Sequence, residues 1–92
     1  MLESKERLRQ MLVSARNLLQ SGWCQHVLHQ AGDKHCALGA LRVSADNPYH
    51  ELYGCWHLEQ TAGITNIVDW NDAPGRTQQE VVELFDRAIA GL

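Results

Sequence analysis

One stretch near the C-terminus constrains the fold more than any other part of the chain. Its sequence is Trp70-Asn71-Asp72-Ala73-Pro74-Gly75-Arg76-Thr77. Pro74 presets φ at the second position of a tight turn, and Gly75 supplies the positive φ that a type II turn requires at the third. Thr77 and Glu80 have the spacing of a capping box, in which each side chain binds the other's backbone N–H. We therefore predict a sharp turn followed at once by a C-terminal helix.

Apolar residues at three- and four-residue spacing predict helices at both ends of the chain. Residues 4–21 form the clearest one, with Ser4 as N-cap and Gly22 in the left-handed conformation at the end. The segment after Thr77 forms the other. The two apolar faces consist of Leu8, Met11, Leu12, Ala15, Leu18 and Leu19 in the first helix, and Val81, Leu84, Phe85, Ala88 and Ile89 in the last.

The segment after the first helix lacks a helical stripe and contains the turn signal Gly32-Asp33. We expect a small hairpin there, with residues 24–29 paired to residues 34–37. An isolated hairpin is only marginally stable, so this one should pack on helices. Residues 37–43 follow as a short helix whose Gly39 and Ala40 permit close approach of another element.

A further helix is predicted to begin at Asn47-Pro48, since asparagine is a good N-cap and proline suits the first helical position. Gly63 should end this helix, and Thr65 should cap a single turn through Trp70. The sequence thus predicts a mainly α (α+β) fold: a compact bundle of four to five short helices with a two-stranded β-hairpin. We expect residues 1–92 to form a single globular domain.

Composition narrows the classes of partner. The formal net charge is −3 and the sequence has no run of basic residues, so neither nucleic acid nor a membrane is expected as the main partner. The charged N-terminus does not resemble a signal peptide, and no apolar span reaches bilayer length. Three cysteines are too few for a disulfide scaffold. We expect reduced thiols, a cytoplasmic location and no cofactor.

Cysteine and histidine recur at a C-x-H spacing in Cys24/His26 and Cys55/His57. Four such residues are the ligand types of a structural zinc site. The spacing argues against one, because residues two apart diverge on a helix, where we place the second pair. Free cysteine is more often a small buried apolar residue. The zinc site is retained only as a third alternative.

A cysteine nucleophile is the second alternative. Cys36 precedes a predicted helix, whose N-terminal partial charge lowers a thiol pKa. His35, His57 or His26 could act as base, with Asn71 or Asp72 orienting it. Packing of Cys36 in the core at a helix entrance is the interpretation that we favour.

Three aromatic residues within eight positions, Tyr49, Tyr53 and Trp56, exceed what the core of so short a helix needs. Tyrosine and tryptophan are enriched where interfaces concentrate their binding energy. They also dominate protein cores, and the sequence leaves the two orientations open. If they face outward, we expect them to bind a partner, with Asn71, Asp72 and Arg76 as further binding residues.

Three motifs together resemble a family of small uncharacterised proteins from bacteria and their phages, a domain of unknown function. They are residues 22–25 (Gly-Trp-Cys-Gln), residues 36–41 (Cys-Ala-Leu-Gly-Ala-Leu) and residues 70–77 with Glu80 and Val81. The resemblance implies a phage or mobile-element setting. Our leading hypothesis is a non-enzymatic accessory protein that docks on a larger host protein or complex, for example as an inhibitor of a host defence system such as an anti-CRISPR. A homodimer through the first or last helix stays open.

Overall fold

The computed structural model describes residues 4–92 and confirms the predicted fold class. Five helices and one two-stranded antiparallel hairpin make up the regular structure of these residues. In chain order they are α1 (Ser4–Ser21), β1 (His29–Gln30), β2 (Lys34–His35), α2 (Ala37–Ser44), α3 (Pro48–Ala62), α4 (Ile67–Asn71) and α5 (Gln78–Ala90). Over this range, no helix has the length and apolar character that a bilayer-spanning segment requires.

The core lies where α1 packs against both α2 and α5. Its largest fully buried side chains include Leu12 and Leu19 of α1, Leu41 of α2 and Phe85 of α5. The apolar faces of the first and last helices therefore cover each other. A homodimer through either of those faces would have to open the core, which the sequence could not reveal.

The predicted helix ends at α3 and α5 are confirmed. The Asn47 side chain accepts the His50 backbone N–H at 3.0 Å, and Gly63 ends α3 with φ +70°. Thr77 and Glu80 form the predicted capping box at the start of α5. Gly75 has φ +82° in the turn before it. Each of these signals lies within a few residues of the helix end that it specifies.

Three other predicted helix ends are wrong. Ser4 is already helical, and the residue that would cap α1 lies outside the described residues. Asn66 rather than Thr65 caps α4, because its Oδ1 accepts the N–H groups of Val68 and Asp69. Gly22 has no positive φ; a Cβ there would lie 2.9 Å from the Asp33 carbonyl oxygen, so close backbone approach explains the glycine.

The hairpin is shorter than predicted. Only His29 and Gln30 pair with His35 and Lys34, and residues 24–28 form an irregular loop instead of a strand. Within this loop His26 has φ +73°, a conformation that interrupts an extended strand. The loop returns over the start of α2, where the Cys36 N–H donates to the Leu28 carbonyl at 3.1 Å.

Candidate functional site

A fully buried asparagine at the end of α4 lies at the centre of a polar network. The Oδ1 of Asn71 accepts the Trp23 indole N–H at 2.8 Å and the Ala37 backbone N–H at 3.0 Å. Its Nδ2 donates to the Cys24 carbonyl at 3.2 Å and to Asp72 Oδ1 at 2.9 Å. The amide thus has partners for both its donors and its acceptor, as a buried polar group requires.

The same network fixes the 24–28 loop. Gln25 Nε2 donates to the carbonyls of Asn71 and Ala73, at 3.0 and 3.1 Å. Asp72 Oδ1 accepts the His26 backbone N–H at 2.9 Å. Asn71 and Asp72, predicted as binding residues, therefore act inside the molecule, where they join two loops that are distant in sequence.

Arg76, the third residue predicted to bind a partner near the turn, also has an internal role. Its guanidinium carbon lies 4.0 Å from the centre of the Trp70 ring, and its Nε donates to the Trp70 carbonyl at 2.9 Å. Nη1 lies 3.4 Å from Glu80 Oε2. Stacking and hydrogen bonding together fasten the turn to the start of α5.

The proposed nucleophile is a buried helix cap. Cys36 is 4% exposed, and its Sγ accepts the Gly39 N–H at 3.3 Å as the N-cap of α2. His35 Nδ1 instead bonds to His29 Nδ1 at 2.8 Å, and His57 Nε2 donates to the Ala88 carbonyl at 2.8 Å. Within residues 4–92, no hydrogen bond joins a thiol to an imidazole. The alternative catalytic set of Cys36, His35, His57 and Asp72 is thus not assembled.

The other two thiols are poor nucleophiles. Burial raises the pKa of Cys55 to about 11, with Glu59 and Glu51 adding to the effect. Burial also raises the pKa of Cys24, and the neighbouring Cys36 and Asp72 act in the same direction. A thiol that stays protonated at neutral pH reacts slowly with electrophiles.

The alternative zinc ligands Cys24, His26, Cys55 and His57 are not brought together. His26 Nδ1 lies 4.0 Å from Asp72 Oδ2, whereas His57 faces α5. In the described part of the chain, no group of three or more Cys, His, Asp or Glu residues is arranged to hold a metal ion. Cys55 and His57 diverge on α3, as their spacing predicts, and Cys24 and His26 lie in a bent loop.

The aromatic residues whose orientation the sequence left open face outward. Tyr49, Leu52, Tyr53 and Trp56 are 75%, 67%, 65% and 58% exposed. They recur at i, i+3, i+4 and i+7 of α3, so they form one continuous row, which we call the α3 stripe. Leu52 was missed as a surface residue, although its spacing relative to the three aromatics indicates the same face.

A glycine explains why α3 presents its aromatic residues to solvent. The inward face of α3 buries Gly54 and Leu58. A Cβ at Gly54 would lie 2.5 Å from Met11 Cε and 3.1 Å from Leu41 Cδ2, so the helix sits close against α1 and α2. Little space remains beneath α3 for an aromatic side chain.

A groove of about 540 Å³ runs beside the α3 stripe, between α1 and α3. Leu8 and Met11 of α1 and Tyr49 and Tyr53 of α3 supply its apolar wall, and Lys5 and His50 are among its polar residues. The stripe and the groove thus form one continuous apolar surface. Such surfaces on small proteins commonly mark interaction sites.

These features define a small helical domain with a polar network inside and an aromatic surface outside. A family model matches residues 3–91, and the chain belongs to the family of unknown function DUF6197. The resemblance to a domain of unknown function is thereby confirmed, while a bacterial or phage origin stays a prediction. No curated protein and no solved structure shows a significant match to the chain.

Proposed function

We propose that this protein acts by binding another protein and that the α3 stripe is its contact surface. The observation that carries the proposal is the outward row of Tyr49, Leu52, Tyr53 and Trp56 beside an apolar groove. Tyrosine and tryptophan are the residue types in which interface energy concentrates. An isolated exposed leucine is ordinary, but four adjacent large residues on one helix are not.

The chemistry of the remaining polar residues supports binding over catalysis. Asn71, Asp72 and Gln25 are engaged in joining two loops. Cys36 caps a helix and is buried, so it is poorly placed to reach a substrate. The stripe, by contrast, has exposed side chains that make no comparable contribution to the core.

The concrete version that we propose is an accessory protein of a phage or mobile element that docks on a host protein and inhibits a host defence system. The small size of the chain and the resemblance of its three motifs to phage and bacterial proteins support this setting. In this version, occupation of the host protein's surface is itself the inhibitory event. No chemical step is needed.

Photo-crosslinking tests the contact surface directly. Tyr53 is replaced by p-benzoylphenylalanine in the full chain, expressed in bacterial cells and irradiated. We expect a discrete adduct with a protein other than this chain. The matched control carries the same photoreactive residue at Val43, which is 55% exposed on α2 and lies outside the stripe, and should give no adduct. Equal adducts from both positions, or none from Tyr53, would contradict the proposal.

A further inference from the structure

The α3 stripe has the area of a substantial part of a protein interface. Its side chains are between 58% and 75% exposed. Since a large aromatic residue carries 150–250 Å² when fully accessible, the stripe offers roughly 400–650 Å². A standard interface buries about 800 Å² on each partner, so the stripe and the groove beside it approach that size.

The spacing of the stripe is symmetric about its middle. Residues 49, 52, 53 and 56 are separated by three, one and three positions. A twofold axis crossing α3 between Leu52 and Tyr53 therefore places Tyr49 opposite Trp56 of a second copy, and Leu52 opposite Tyr53 of that copy. Such pairing meets the requirement of a twofold interface, in which one patch must be complementary to itself.

Charge does not oppose this pairing. All four side chains of the stripe are uncharged, and the adjacent Glu51 is held by both Nε and Nη2 of Arg42, at 3.0 and 3.2 Å. The net charge of −3 per chain is small, and salt at physiological strength screens it beyond about 8 Å. A surface without charges suits another uncharged apolar surface, and the chain itself provides one.

The groove supplies space for the largest side chain of the pairing. In the antiparallel arrangement Trp56 of the second copy lies against Tyr49, which is also part of the groove wall together with Leu8 and Met11. The tyrosine hydroxyls can stay hydrated at the edge while the rings are buried, as is common at interfaces.

From area, symmetry and charge we infer that a second copy of this chain occupies the α3 stripe, so that the free protein is a twofold dimer of antiparallel α3 helices. This inference rests on the proposed function, because it names the partner of the same surface. Any other protein that binds the stripe then competes with the second copy.

Sedimentation velocity between about 1 and 200 µM tests the dimer. This range spans the dissociation of a dimer whose dissociation constant is micromolar. We expect twice the chain mass for the wild type. Leu52→Glu places two carboxylates beside the twofold axis and should weaken dimerisation at least tenfold. Val43→Glu is the matched control and should leave the dimer intact. Far-UV circular dichroism establishes that each variant is folded.

Charge complementation makes the test specific for the axis. Leu52→Glu and Leu52→Lys are each expected to be monomeric, and their equimolar mixture should restore the dimer mass. A monomeric wild type, or a Leu52→Glu variant that dimerises normally, would overturn the inference. If the wild type is monomeric but the photoreactive residue at position 53 crosslinks to a different protein, the proposed function is supported and the dimer is contradicted. If the protein dimerises regardless of the residue at position 52 and gives no adduct at Tyr53, both the proposed function and the dimer through the α3 stripe are wrong.

Discussion

Replacement of Asn71 by alanine should destabilise the protein far more than loss of an exposed asparagine cap. The change removes the acceptor of the Trp23 indole and Ala37 N–H groups and the donor to the Cys24 carbonyl. Each buried polar group left without a partner costs about 1–3 kcal/mol. Allowing for some relaxation and entry of water, we expect a loss of about 4 kcal/mol.

This loss is large relative to the free energy of unfolding of the whole chain. At 0.05–0.15 kcal/mol per residue, a chain of 92 residues has a free energy of unfolding of about 5–14 kcal/mol. A loss of about 4 kcal/mol lowers the melting temperature by roughly 15–30 °C. Urea denaturation followed by tryptophan fluorescence measures it, since the Trp23 indole takes part in the network.

Asn66→Ala is the matched control, because Asn66 is exposed and caps α4 through the Val68 and Asp69 N–H groups. Losing such a cap costs about 1 kcal/mol. If Asn71→Ala costs no more than this control, the network does not contribute as we argue. Asn71→Asp adds a second test: burial and the nearby Asp72 should raise the pKa of the new carboxyl. Its stability deficit should then be smallest below about pH 4 and grow as pH rises.

Four further predictions concern single residues. Thr77→Ala should cost about 1 kcal/mol in urea denaturation. The backbone N–H of Thr77 holds the pKa of Glu80 below its usual range. The contribution of Glu80 to the free energy of unfolding is therefore present at neutral pH and is lost as pH falls through that lowered pKa. Glu80→Gln should abolish this acid dependence of stability. Gly39→Ala should cost more than about 2 kcal/mol of stability, since the added Cβ collides with the Leu28 carbonyl. Gly91→Ala is the control and should leave the stability nearly unchanged, since its Cβ makes only ordinary contacts. Iodoacetamide should modify native Cys55 slowly at pH 8 and rapidly in denaturant, because its pKa is about 11; fast native labelling would contradict its burial.

The features that could be predicted from the sequence are those specified locally. The capping box at Thr77, the helix end at Gly63 and the turn at Gly75 each depend on a few adjacent residues. The shape of the 24–28 loop could not be predicted in this way. Gln25 and His26 bind backbone and side-chain groups near Asn71, more than 40 positions away, and these contacts replace the strand that local pattern favours.

The orientation of α3 was open for a different reason. Its aromatic residues lie on one face, and Gly54 and Leu58 lie on the other. Residue size alone would place the aromatic face inward. Tight packing of Gly54 against Met11 and Leu41 instead turns the aromatic face toward solvent. Tertiary contact therefore determined which face of α3 is exposed, while the sequence identified three of the four residues of the α3 stripe.

The glycine contact beneath α3 has a consequence for how such a protein can change. The inward face of α3 buries Gly54 and Leu58, and the outward row adds little to the core. On the function that we propose, substitutions along the outer row can therefore alter which protein is recognised while the free energy of unfolding stays nearly the same. By the same proposal, such a chain can acquire a new binding partner without first acquiring a more stable fold.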